Sequence, residues 1–216
     1  MTGANDVFSL VTAGDMQALA AALKAADLTR LHNDAGESLY RFALFHGHAK
    51  TAEAIKARGG LGLHDAALVG DVDRLDELLD AAPWAIDLLS PDGWTALHLA
   101  AFVGADETLG RLLARGANAR ILGRAFEQNL AIHAAAAGRR IGKAAYAALV
   151  AATGNPDALR KQGYTALMIA AANGFADAVD VLLEAGADRA IKQADGKTAA
   201  DFAAERGHPE LAARLA

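Results

Sequence analysis

Apolar residues along this chain recur in short paired runs, never in one long stretch. The clearest run is Trp94-Thr95-Ala96-Leu97-His98-Leu99-Ala100-Ala101-Phe102-Val103-Gly104. Leu97, Ala100 and Ala101 fall on one helix face that is apolar yet thin, so a neighbouring helix backbone can come close. Thr95 stands where a hydroxyl oxygen accepts an orphan N–H at a helix start, and His98 shares that first turn, so the two form a capping pair. Gly104 permits the left-handed residue that ends a helix. A second helix follows with Leu109, Leu112 and Leu113, and Gly116 stops it in the same way. The pattern predicts a helix–turn–helix unit.

The same pattern can be followed along almost the whole chain by framing it on His98. A first unit has Phe8 in that place, Gly14 as its stop, and an outer helix from Met16 to Lys24 with Leu19, Ala22 and Leu23 on one side. A second begins at Gly36-Glu37-Ser38 with Arg41 in the frame position, then Ala43, Phe45-His46 and Gly47-His48. The third arrives early. Arg41 to His64 is 23 residues, against spacings of 33 to 35 elsewhere, so about ten residues of hairpin are missing between Arg58 and Leu61 and Gly59-Gly60 must turn the chain sharply. Its outer helix, Val72 to Asp80, ends at Pro83, and Trp84 is expected to cover the hairpin base as a packing residue. After the Trp94 unit comes an irregular one, Phe126 to Thr153, with an outer helix from Ile141. There His133 and Ala135-Ala136 keep the frame, while Gln128 replaces the hairpin glycine, Leu130 the threonine and Arg139 the stop glycine, with Gly138 one residue early. Regularity returns with Gly163-Tyr164-Thr165-Ala166-Leu167-Met168. The last unit has Asp201 in the His place and ends on an outer helix from Pro209 to Leu215.

Thr95, Leu97, His98 and Ala100, with Gly93 before and Gly116-Ala117 after, resemble the Thr-Pro-Leu-His-x-Ala signature of the ankyrin repeat, Ala96 standing where proline is usual. The resemblance covers essentially the whole chain as six or seven units. It implies an all-α ankyrin-repeat solenoid of stacked helix–turn–helix units with short β-hairpin connections, a single domain over residues 1–216. Within it, 1–33 is an N-terminal cap, 34–195 the internal units, irregular at 125–158, and 196–216 a C-terminal cap. Each unit is too small to bury its own face and is stabilised by its neighbours. Such units generally bind other proteins, and the fold does not name the partner.

Composition adds bounds. A 216-residue chain that is 53% hydrophobic can bury a sizeable core, and alanine, about a quarter of it, favours closely packed helices. No apolar run approaches the ~18 residues of a membrane span. Met1 to Asp6 lacks a basic segment leading into an apolar one, so secretion has no support and a cytoplasmic monomer is expected. With no cysteine there is no disulfide, thiolate metal site or cysteine nucleophile. A net charge of -5 argues against nucleic acid or an anionic membrane as partner of the whole chain.

Candidate chemistry is sparse. His64, His98 and His133 recur in the capping position and are read as structural. His46 and His48, two apart at a helix end, do not face each other and have no evident third ligand. Gly138-Arg139-Arg140-Ile141-Gly142-Lys143-Ala144 departs from a phosphate loop in spacing, in alanine for Ser/Thr and in having no preceding strand. No nucleophile–base set, metal site or cofactor motif is present, so no enzyme, metal or cofactor is expected.

Binding is the stronger expectation. In an ankyrin-like stack, positions just before the Thr and just before the stop glycine face outward. These are Phe45, His46, Leu68, Val69, Trp94, Phe102, Val103, Asn129, Tyr164 and Asn173, a row unexpectedly apolar for solvated positions. Residues 120–161 carry seven cationic side chains against Glu127 and Asp157, whereas Asp65 to Asp92 holds eight carboxylates and only Arg74 against them. The sequence therefore predicts a non-catalytic module that binds a folded protein through its concave face, in a sharper version as a stoichiometric inhibitor or protective partner of an enzyme. The alternative is anion or nucleic-acid binding through the basic segment, with Arg139, Arg140 and Lys143 around a helix start that favours anions.

Overall fold

The computed structural model describes residues 4–22, 29, 31–124 and 128–216, with side chains from residue 7 onward. Among these residues the chain forms fourteen α-helices and no strand. They run as inner and outer pairs: α1 (Ala4–Ala13) with α2 (Met16–Ala22), α3 (Leu39–Phe45) with α4 (Ala49–Lys56), and α5 (Leu63–Val69) with α6 (Val72–Ala81). Then come α7 (Ala96–Val103) with α8 (Asp106–Ala114), α9 (Ala131–Gly138) with α10 (Lys143–Thr153), α11 (Ala166–Ala172) with α12 (Ala176–Glu184), and α13 (Ala199–Glu205) with α14 (Pro209–Leu215). This is an all-α repeat solenoid of seven units. The end of the first outer helix at Leu23 and Lys24, and Phe126 at the start of the irregular unit, lie outside the described residues.

Helices start where the hydroxyls stand. Ser38, Thr95, Thr165 and Thr198 each accept a hydrogen bond from the backbone N–H three residues on. The expected β-hairpins reduce to tight turns. Around Trp94 the turn is closed by Ser90 N–H to the Trp94 carbonyl (2.7 Å) and Gly93 N–H to the Ser90 carbonyl (2.8 Å). The next residue already caps a helix, which leaves no room for a second rung. Elsewhere, among the described residues, two single antiparallel bridges form, His32 with Ser38 and Leu159 with Thr165.

The irregular unit keeps the backbone of its neighbours with the wrong residues. Gln128 and Arg139 adopt φ of 54° and 57°, the left-handed region that glycine fills in the regular units. Gly138 is early because it has another task. It lies so close to the backbone of Phe102 on α7 that a Cβ would overlap the Phe102 carbonyl oxygen.

The third unit is also displaced. Its inner helix is capped by Gly62, so the third helical residue is Asp65, and His64 keeps the frame spacing only when counted back from the stop at Gly70. Trp84, expected to pack, is 74% exposed. Pro83 opens a 3₁₀ turn, Pro83–Asp87, that swings the indole outward, and Ile86 packs against the core instead.

One core runs from Ala66 and Ala67 on α5 through to Leu215 on α14. A separate one joins α1 to α4 with Leu61. Among the described residues no helix is long and apolar enough to cross a membrane.

Candidate functional site

The frame histidines are ties between units. His98 Nε2–H donates to the Asn129 carbonyl at 3.0 Å, and its Nδ1 accepts from the Thr95 hydroxyl at 2.7 Å. His133 Nε2–H donates to the Ala158 carbonyl at 2.9 Å, with Nδ1 accepting from the Leu130 N–H at 3.1 Å, so a backbone donor does what the missing threonine would do. His64 Nε2 reaches the Leu88 carbonyl at 2.9 Å. With one nitrogen donating and the other accepting, the His98 and His133 rings are neutral and fixed in tautomer. Burial lowers the pKa of His64 and His98, and takes that of His133 down to about 4.

The row of predicted outward residues divides by burial. Phe45 is 63% exposed and Phe102 42%. His46 is exposed too, its ring stacked on Phe42 and its Nδ1 on the Phe42 carbonyl at 2.9 Å. Leu68, Val69, Val103, Tyr164 and Asn173 are half-buried. Val69 packs against the N-terminal core. Tyr164 stands against Phe202 (5.4 Å between centroids) under the Arg160 guanidinium, and Asn173 donates to the Ala136 carbonyl at 3.3 Å.

Trp94 and Asn129 do not face outward. Trp94 is 8% exposed, edge-on to His98 and tilted against Phe102 at 5.9 Å, in a small cluster with Leu68, Leu99 and Ala134. Its indole folds back over the inner helices because the alanine surface of α9 leaves room for it. Asn129 is 6% exposed, and its carbonyl holds both His98 Nε2 and the Gly123 N–H.

What remains open is a stripe near the C-terminal ends of the inner helices. Phe45, Leu68 and Phe102 each stand two residues before a left-handed glycine, Gly47, Gly70 and Gly104, so they are equivalent on three successive units. Farther along, the same position is Ala137, Ala172 and Glu205. The large apolar side chains are therefore confined to units two to four, with Trp94 supporting Phe102 from beneath.

The two charged poles resolve largely into internal contacts. Asp76 pairs with Arg111 (3.1 Å) and Arg115 (2.9 Å), Asp80 with Arg115 (2.7 Å), and Glu77 with Arg74 (2.9 Å). Asp71 caps α6, and Asp87 accepts the Asn118 N–H at 2.9 Å. On the basic side, Arg139 donates to the Asn173 carbonyl at 2.8 Å and Lys143 pairs with Glu184 at 3.3 Å. The Gly142 N–H at the start of α10 is already taken by both Asp106 oxygens at 3.1 Å. A protein carboxylate thus sits where the sequence predicts an anion, and Arg140 alone of the three cations stands exposed without an internal tie among those described.

Sequence reasoning gave no role to Arg41, which is 3% exposed. The missing hairpin removes the carbonyl that a frame histidine would reach. Arg41 bridges the gap instead, with Nε 3.3 Å from Asp65, Nη1 2.6 Å from Asp92 and Nη2 3.3 Å from the Gly36 carbonyl. The Ser38 hydroxyl donates to Asp65 at 2.7 Å. Beside this cluster lies a cavity of about 210 Å³ lined by His32, His64, Leu88, Ser90 and Pro91 among others. A cation in the frame position beside a shortened repeat was the available signal.

Comparison with protein families matches a model of the ankyrin repeat to residues 92–124 and a model of ankyrin repeats in three copies to residues 142–216, together half of the chain. No curated protein matches it.

Proposed function

The chain belongs to the ankyrin-repeat family, whose units generally serve protein–protein interaction, and from that premise we propose a non-catalytic, cytoplasmic, monomeric module that binds a folded protein through the inner-helix face of units two to four. The observation that carries this reading is the stripe of Phe45, Leu68 and Phe102, large apolar groups left partly in water at one equivalent position of three consecutive units. An isolated exposed apolar residue means little, whereas large apolar groups repeated at one position of consecutive units have the composition of an interface centre. Trp94 packs beneath this face against Phe102 and Leu68.

Capture from source-cell lysate with wild type, Phe45→Asp, Phe102→Asp and, as a control away from the stripe, Leu159→Asp tests this face. A partner held by wild type and Leu159→Asp, and weakened about 30-fold or more by either phenylalanine change, supports it. Equal capture by all four proteins moves the interface elsewhere. The narrower reading, an inhibitor or protective partner of an enzyme, requires that the captured partner be an enzyme whose activity falls in proportion to added protein and levels off at one equivalent.

A further inference from the structure

The basic irregular unit meets the apolar stripe at one point. Gly104 stands two residues after Phe102 at φ 75°, and a Cβ built on it would overlap the carbonyl of Arg140 and stand 2.7 Å from the Arg140 Cβ. On the facing side Gly138 lies against the Phe102 carbonyl. The end of α9 is therefore pressed on the last turn of α7, and the Arg140 side chain leaves its backbone beside the turn that carries Phe102.

The charges around this point are taken, with one exception. The residue after the stop position is Asp71 in unit three, Ala105 in unit four and Arg140 in unit five. Asp71 accepts the Arg74 N–H at 3.1 Å and lies 3.7 Å from Lys56. Asp106, the next carboxylate along, turns both oxygens to the Gly142 N–H, while Arg139 and Lys143 are tied to unit six through Asn173 and Glu184. Arg140 is exposed and has no hydrogen bond or ion pair among the described residues. The edge of the stripe thus carries an uncommitted cation at its C-terminal end.

We infer that the partner sets an aspartate or glutamate side chain against Arg140, next to the apolar group with which it covers Phe102. The inference rests on the face proposed above and adds the chemistry that this face selects. Covering Phe102 displaces water from the neighbouring guanidinium. A partner that offers no acceptor there, or offers a cation, leaves a charge that has lost hydration without gaining a contact. A carboxylate replaces that water with two parallel N–H···O bonds, in a geometry that it shares with the guanidinium. A single-stranded nucleic acid offers related chemistry, with a base stacked on Phe102 and a phosphate on Arg140. The surroundings favour the protein, because tracking a phosphate backbone takes a row of cations, and Arg140 stands near Asp106 in a chain of net charge -5.

Amide NMR shifts of the full chain, titrated with phenylbutyrate, phenylbutanol and phenylbutylamine, test this with probes that share a ring and differ in the charge of the head. For molecules of this size, dissociation constants are on the order of millimolar. All three should move the amides of Leu68 and of Phe102 to Gly104. The carboxylate should bind about three- to fivefold more tightly than the alcohol, the range of an exposed charge pair, and the amine more weakly than either. Arg140→Glu, a change at an exposed and untied position, should invert the order of acid and amine and leave the alcohol as it was. Equal affinity for the three probes, or an acid preference that survives Arg140→Glu, overturns the carboxylate while the face stands. If none of the probes moves Leu68 or Phe102, the face itself fails and the inference falls with it. Hexathymidylate is the fourth probe: shifts around Phe102 and Arg140 at a lower concentration than the carboxylate needs make the partner a nucleic acid and overturn the protein reading.

Discussion

Gly138 lies beneath the carbonyl of Phe102, and the two inner helices α7 and α9 approach each other through that point of contact. A methyl group has nowhere to go there. Gly138→Ala should lower stability by about 1–3 kcal/mol, the usual cost of overpacking a close backbone approach, although alanine is the better helix former. Chemical denaturation of the two proteins measures the difference. An unchanged midpoint would mean that α7 and α9 stand farther apart than described.

The left-handed residues of the irregular unit give the opposite result. Gln128 at φ 54° and Arg139 at φ 57° occupy a region that disfavours side chains by roughly 1–2 kcal/mol. Glycine removes that strain and gives back part of the gain as unfolded-state entropy. Gln128→Gly should raise stability by about 0.5–1 kcal/mol, and Arg139→Gly by less because the bond to Asn173 goes with it. Thermal melts of both variants, with the double, would show this; a lower melting point for Gln128→Gly would contradict the backbone assignment.

Acid should weaken the stack through its histidines. The pKa of His133 falls from the ordinary value near 6.5 to about 4 on folding, chiefly by burial, so the unfolded chain takes up the proton first. The stabilisation is complete above pH 6.5 and is lost as pH falls toward 4, amounting to about 3 kcal/mol over that window. His64 and His98 act in the same direction. Urea unfolding at pH 7 and pH 4.5 should show a smaller acid loss for His133→Gln than for wild type. Equal losses in both proteins would remove His133 from the account.

Trp94 and Phe102 should separate stability from binding. A carboxylate at Trp94 is placed against His98, Leu99 and Ala134 with no partner, so Trp94→Asp should destabilise by several kcal/mol. Phe102→Asp, at a position 42% exposed, should change stability by less than about 1 kcal/mol. Circular dichroism melts distinguish the two, and they must precede any binding experiment with either variant. Matching melts would return Trp94 to the surface.

Helix starts and stops were legible because they depend on local chemistry. A hydroxyl at Ser38, Thr95, Thr165 or Thr198 and a glycine nine residues later define the inner helices α3, α7, α11 and α13 by themselves. The same local rules located Gln128 and Arg139 as substitutes for glycine. Exposure was not legible, because it depends on the neighbouring unit. Trp94 is covered since the α9 surface beside it is alanine, and Trp84 is bare since a 3₁₀ turn redirects it. Arg41 was out of reach for a further reason: its partner Asp92 lies 51 residues away, and only the lost hairpin brings the two units together.

The imidazole ties all run one way. His64, His98 and His133 each donate forward, to a carbonyl of the unit that follows in sequence. A chain shortened from its C-terminal end leaves its last imidazole buried with no acceptor, whereas one shortened from its N-terminal end strands only a carbonyl that water can reach. The stack thus has a grain. As the chain leaves the ribosome, no unit tied in this way is finished until its successor has emerged, and assembly of the central units must trail synthesis by one repeat.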